Sequence, residues 1–130
     1  MAYFLLKTEP DEYSLSSLAK EGETIWNGVK NPLAQKHLRS IKVGDKCFIY
    51  HTGSEKQIVG LGEALTECFL DEHRDPVFRL RFVKQFPKPL PLSAMKKDRA
   101  FEGFVLLRLP RLSVMPVPEH LAVEILQRVE

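Results

Sequence analysis

Lys46-Cys47-Phe48-Ile49-Tyr50-His51 is a run of β-branched, aromatic and aliphatic residues with the character of a central strand. Alternation puts Phe48 and Tyr50 on one side and Cys47, Ile49 and His51 on the other. Thr52-Gly53-Ser54-Glu55-Lys56 then reads as a turn, and residues 57–66 as the returning strand of a hairpin. Gly60 and Gly62 interrupt that second strand, which predicts a bulge or sharp bend of the kind a small closed barrel needs. Gly60-Leu61-Gly62 lacks the third glycine and the following helix of a dinucleotide fingerprint, so that chemistry is excluded.

Toward the N-terminus, residues 2–7 form a short apolar strand that ends in Lys7-Thr8-Glu9-Pro10, with Pro10 as its stop. On a regular strand Lys7 and Glu9 share a face and Thr8 points the other way. Ser14 is placed to cap a short helix through Leu15, Leu18 and Ala19 that Gly22 closes. A loop then carries Trp26 up to Asn31-Pro32, a cap followed by a proline suited to the first helical position. The helix from Pro32 puts Leu33, Ala34, Leu38 and Ile41 on one face and stops at Gly44. Toward the C-terminus, residues 71–76 are a polar loop, and 78–86 alternate with Phe78, Leu80, Phe82 and Phe86 inward. Pro87, Pro89 and Pro91 make an extended connector, Ser93 caps a short helix, and Phe104 to Leu109 is apolar. A final helix begins near Pro118 with Leu121, Ala122, Ile125, Leu126 and Val129 on one face. The pattern predicts an α+β fold: a small, mostly antiparallel barrel with flanking helices.

The chain has 130 residues, the usual size of one domain, and residues 1–130 are read as one. Its net charge of +2 is far from the excess of a non-specific nucleic-acid binder. The start of the chain reads as a strand and not a signal peptide, and no apolar run approaches the roughly 20 residues of a membrane span. Cys47 and Cys68, both placed in strands, have no metal-type spacing and are expected to be reduced in a cytoplasmic or nuclear protein. His37, His51, His73 and His120 are scattered without paired carboxylates, so neither a metal nor a cofactor is expected.

Trp26 is the only tryptophan. Among turn residues it is either a lid on the core or a flat platform for a ligand, and the residues alone leave both open. His51 likewise stands between a pocket role and structural satisfaction. A catalytic reading would take Lys7 or His51 as base and Thr8 or Ser113 as nucleophile, but no nucleophile elbow or local Cys/His signature supports it. A base-binding reading uses the same residues more economically. Trp26 stacks, Asn31, Thr52, Ser113 and backbone amides read a base edge, and Lys7, Lys30 and Arg111 meet phosphate or hold the site together. Lys96, Lys97, Arg79 and Arg81 offer further phosphate contacts or are solvated faces. A single base in a deep pocket has to be flipped or unpaired.

Lys7-Thr8-Glu9-Pro10, Tyr13-Ser14, Trp26-Asn27-Gly28-Val29-Lys30-Asn31, Gly44-Asp45, Tyr50-His51-Thr52, Ile58-Val59-Gly60 and Arg111-Leu112-Ser113-Val114 occur in the order found in EVE domains. The chain resembles that family along essentially its whole length. The resemblance implies a PUA-like fold, the group that also holds YTH and ASCH domains, and a non-enzymatic reader of methylated or hydroxymethylated cytosine or related bases in DNA or RNA. It implies a base pocket lined by Trp26, Val29, Asn31, Tyr50, His51 and Thr52, bordered by Ser14, Ser113, Lys7, Glu9 and Arg111, with Lys30 on the charged rim. Lys30 stands where arginine is common, which removes a bidentate fork; Thr52 stands where serine is common and adds a methyl. The alternative implied by ASCH relatives is an amidohydrolase of modified nucleosides using Lys7, Thr8 or Thr52, and Glu9.

Overall fold

The expected hairpin forms the middle of the sheet in the computed structural model, which describes Met1–Glu130. Its strands are β3 (Lys46–His51) and β4 (Gln57–Ala64), preceded in the chain by β1 (Tyr3–Thr8) and β2 (Glu23–Trp26). They are followed by β5 (Phe69–Leu70), β6 (Pro76–Pro91) and β7 (Val114–Val117). Along the sheet the order is β2-β6-β4-β3-β1-β7, with β5 paired to the start of β6. Only β1 and β3 run parallel; every other pair is antiparallel.

The helices are α1 (Leu15–Glu21), α2 (Pro32–Arg39), α3 (Leu92–Lys96), α4 (Val105–Arg108) and α5 (Glu119–Val129), with a 3-10 turn at Arg99–Phe101. Helix α2 packs on both β7 and β6, which lie far apart in the strand order. A flat sheet could not present both to one short helix, so the sheet curls. The curl is barrel-like but not closed, because the end strands β2 and β7 do not pair. No helix is long and apolar enough to cross a membrane.

The glycines act as expected. Opposite Val59 the β3–β4 register slips between Ile49 and Tyr50, a bulge that bends the hairpin. A Cβ on Gly60 would lie 2.6 and 2.7 Å from the Leu15 methyls and 2.7 Å from the Lys84 carbonyl. The bare backbone there is what lets α1 seat Leu15 on the sheet. Asp45, 4% exposed, accepts from Ala2 N–H and Lys42 N–H, both at 2.9 Å, tying the start of β1 to the start of β3.

Several local expectations change. The loop predicted to carry Trp26 is strand β2, whose four residues are too few to show a period. The Pro87–Pro91 connector is part of β6, which pairs with β4 again at Leu90 and Pro91. Residues 86–89 have no β4 partner, so Pro87 and Pro89 sit where no ladder N–H is required. Helix α2 ends at Arg39, with Ser40 Oγ donating to His37 O at 2.7 Å, leaving Leu33 exposed and Ile41 buried beyond the helix. Ser93 lies inside α3 and caps nothing, since Pro91 occupies the cap position. Cys68 lies just before β5, outside any strand; Cys47 is fully buried, and burial pushes its thiol pKa far up. Arg79 and Arg81, read as phosphate contacts or a solvated face, pair with Glu23 and Glu63 on the sheet surface.

Candidate functional site

Because the sheet curls without closing, the ends of β1 and β2 face each other across a cavity of about 530 Å3, within the range of small-molecule sites. One wall is Lys7, Thr8 and Glu9 with the following turn residues Glu12 and Tyr13. The other is the end of β2 and its outgoing loop, Thr24 through Val29, and Ser113 completes the lining. Lys7, Thr8 and Glu9 all line the cavity, Thr8 as the last residue of β1 and Glu9 just beyond it.

Trp26 is 7% exposed and meets Tyr13 edge-on, with ring centroids 6.3 Å apart at 81°. It therefore serves both readings left open by the sequence: most of the indole is core, and a strip of it is cavity wall. The Tyr13 hydroxyl bonds the Glu21 carboxylate, and its pKa is raised by burial first and by Glu21 second. Thr8 Oγ1 donates to Tyr13 O at 2.7 Å, fixing that turn to the strand end. Lys7 Nζ donates to Pro110 O at 2.7 Å and lies 5.5 Å from the centroid of Tyr50; burial lowers its pKa. Glu9 Oε1 accepts from Asp11 N–H at 3.1 Å, while Thr52 Oγ1 donates to Glu9 Oε2 at 3.3 Å. A Cβ on Gly53 would lie 2.6 Å from Glu9 Oε2, and its φ of +74° suits glycine. The Glu12, Asn27 and Ser113 side chains have no partner within the fold.

The family model described as "EVE domain" matches residues 2–128. The chain belongs to the EVE domain family. Thymocyte nuclear protein 1 of Rattus norvegicus is 32% identical, over 91% of this chain and 69% of its own length. Rpa0253 from Rhodopseudomonas palustris superposes with a TM-score of 0.94 at 28% identity, covering 99% of this chain and 93% of that one. The human THYN1 protein in complex with 5-methylcytosine containing DNA has a TM-score of 0.88 at 21% identity, covering 100% and 99% of the two chains. An ASCH protein from Zymomonas mobilis shares the fold more distantly, with a TM-score of 0.61 at 13% identity over 99% and 96%. The EVE domain is thus a PUA-like α+β fold, as the resemblance implied.

Of the residues expected at the site of this EVE domain, Trp26, Val29, Ser113, Lys7 and Glu9 do meet at the cavity. Asn31 does not: its Oδ1 accepts from Leu33 N–H at 2.9 Å and Ala34 N–H at 3.0 Å, capping α2. Ser14 caps α1 by accepting from Ser17 N–H at 3.1 Å. His51 Nε2 accepts from Leu15 N–H at 3.1 Å, and Nδ1 lies 2.9 Å from Glu55 Oε1. That pair of contacts calls for the neutral tautomer with the proton on Nδ1. His51 is a structural clasp between β3 and α1. Tyr50 is buried beneath Lys7 and Thr52 lies behind Glu9, so neither lines the cavity. Lys30 is exposed and 3.3 Å from Asp75; Arg111 is exposed and unpaired. No group of His, Cys, Asp or Glu is placed to hold a metal.

Glu12, Tyr13, Thr24, Ile25, Asn27 and Gly28 were missed. Tyr13 stands in the family motif beside Ser14, and Asn27 and Gly28 beside Trp26; these neighbourhoods were the available signal. Since Asn31 is a cap, Asn31→Ala is expected to cost about 1 kcal/mol of stability. It should leave oligonucleotide affinity unchanged, as denaturant unfolding and a binding titration of the same sample will check.

Proposed function

We propose that this EVE domain is a non-enzymatic reader that takes a flipped or unpaired modified cytosine, or a related base, into the Trp26 cavity. The observation that carries the reading is a small-molecule-sized cavity with an indole in one wall and unpaired polar groups around it. The relative crystallised with 5-methylcytosine DNA supports it from outside the chain. Glu9 and Glu12 in the lining oppose a phosphate inside, so the occupant is the base and the backbone stays at the mouth. Tyr13, whose ring stands at 81° to the indole, borders the place where the base would stack.

Arg111 and Lys30 supply charge at the rim. The Lys30–Asp75 pair, at 75% and 37% side-chain exposure, is a surface contact of small worth and easily exchanged for phosphate. Arg111→Ala is expected to weaken plain and methylated oligonucleotides alike and to reduce the slope of log affinity against log salt by about one. A loss confined to methylated sites would place Arg111 inside the base-reading set and contradict this role. The nuclear name of the curated relatives suits a compartment where nucleic acid is accessible.

The hydrolase reading gains one observation, that Lys7, Thr8 and Glu9 converge on the cavity. Against it, the Thr8 hydroxyl and the Lys7 ammonium both donate to main-chain carbonyls. The reader account expects no product from an acylated cytidine panel at high protein concentration. Turnover that Lys7→Ala abolishes would establish the hydrolase instead.

A further inference from the structure

The cavity wall formed by β2 is a free sheet edge, and its phase can be worked out. Phe82 N–H donates to Gly22 O at 2.8 Å, and the register pairs Thr24 with Leu80 and Trp26 with Phe78. Antiparallel pairing alternates, so the main chains of residues 22, 24 and 26 turn toward β6 and that of Ile25 turns away. The Asn27 N–H, opposed to the Trp26 carbonyl across one planar peptide, turns away with it. Arg79, opposite Ile25, confirms the phase: its N–H donates to Thr66 Oγ1 at 3.0 Å and its carbonyl accepts from Leu65 N–H at 2.8 Å, both on the far side. The phase leaves the Ile25 main chain out of the ladder, no loop or side-chain hydrogen bond reaches the main chain of Ile25 or Asn27, and both residues line the cavity. Ile25 and Asn27 are both exposed residues, so their outward main-chain groups carry no burial penalty.

We infer that this edge is the base-reading element, with the Ile25 carbonyl accepting from an exocyclic amine and the Asn27 N–H donating to the adjacent ring nitrogen. In a strand, the carbonyl of one residue and the N–H of the residue two further on point the same way side by side. That acceptor–donor pair matches a heteroaromatic ring bearing an amine next to an unprotonated ring nitrogen, as on the Watson–Crick edge of cytosine. A flipped base is read through that edge. The carboxylates of Glu9 and Glu12 on the facing wall favour an amine-bearing, uncharged ring over an anionic one. Backbone reading also explains why Asn31 and Thr52 can be committed elsewhere without leaving the base unread.

The inference rests on the reader hypothesis, and one experiment separates their failures. The 15N-labelled full chain is titrated with a short single-stranded oligonucleotide carrying one 5-methylcytosine, and with its counterpart carrying 3-deaza-5-methylcytosine, in which the ring nitrogen is a C–H. The expected result is that the Trp26 indole resonance moves with both, while the Asn27 amide proton moves downfield only with the parent. The deaza oligonucleotide should bind about three- to tenfold more weakly, the worth of one hydrogen bond. Movement of Trp26 with an Asn27 amide indifferent to the replacement overturns the edge assignment and leaves base binding intact. If neither resonance moves, both are overturned. Perturbation running along Glu23, Ile25 and Asn27 without Trp26 marks strand addition by an extended chain and also overturns the proposal.

Discussion

Trp26→Ala is expected to lose about 3–5 kcal/mol of stability, the usual cost of truncating a large buried aromatic. It is also expected to lose about 1–3 kcal/mol of affinity for a modified oligonucleotide, the worth of one stacked base. The two losses have different origins. At 7% exposure the indole belongs to the buried cluster, so its removal leaves a hole beside Tyr13 that the stiff end of β2 cannot collapse into. The affinity loss comes from the strip of ring facing the cavity. Trp26→Phe separates them, since a phenyl ring keeps most of the packing but offers a smaller face. Thermal unfolding should place the Phe variant near the parent, and its affinity should fall between parent and Ala. A folded Ala variant with undiminished affinity would remove Trp26 from the site.

Gly60→Ala should be the most damaging small change in the sheet. Overpacking commonly costs about 1–3 kcal/mol, and here two of the three nearest atoms could move while the third could not. The Leu15 methyls, at 2.6 and 2.7 Å, can rotate away only by giving up the seat that anchors α1. The Lys84 carbonyl, at 2.7 Å, belongs to the β6 backbone and must shift with its strand. A loss at or beyond the top of that range is expected in urea unfolding. Gly22→Ala is the control, with open space at its Cβ; its φ of +81° confines the cost to backbone strain of about 1 kcal/mol. A loss at Gly60 no greater than at Gly22 would contradict the account, because Gly60 has no positive φ and only the close approach of Leu15 and Lys84 makes its substitution costly.

The features legible in the sequence were those encoded within a few residues. Asn31-Pro32 announced the start of α2, Ser14 and Gly22 bounded α1, and Gly60 signalled a bend, all of which hold. Illegible features depended on distant partners. Nothing near His51 reveals that its Nε2 meets the amide of Leu15, 36 residues away, and so the family motif Tyr50-His51-Thr52 suggested a pocket where there is a clasp. The same holds for Asn31: one side chain can cap a helix or read a base, and its sequence signal as a cap was the better guide. Pro87 and Pro89 misled because prolines argue against a ladder, whereas β6 accommodates them where it has no partner. The free edge of β2 had no sequence signature, because it follows from which strands fail to meet when the sheet curls.

The central claim is that the Trp26 cavity receives a modified base, and a fluorescence titration tests it most directly, since Trp26 is the sole indole. Short oligonucleotides carrying plain, methylated or hydroxymethylated cytosine, single- and double-stranded, would be added at two salt concentrations. The account predicts a change in indole emission that saturates at lower concentration for a modified base than for plain cytosine and persists at the higher salt. A response indifferent to modification and abolished by salt, or no response to any oligonucleotide, would contradict it.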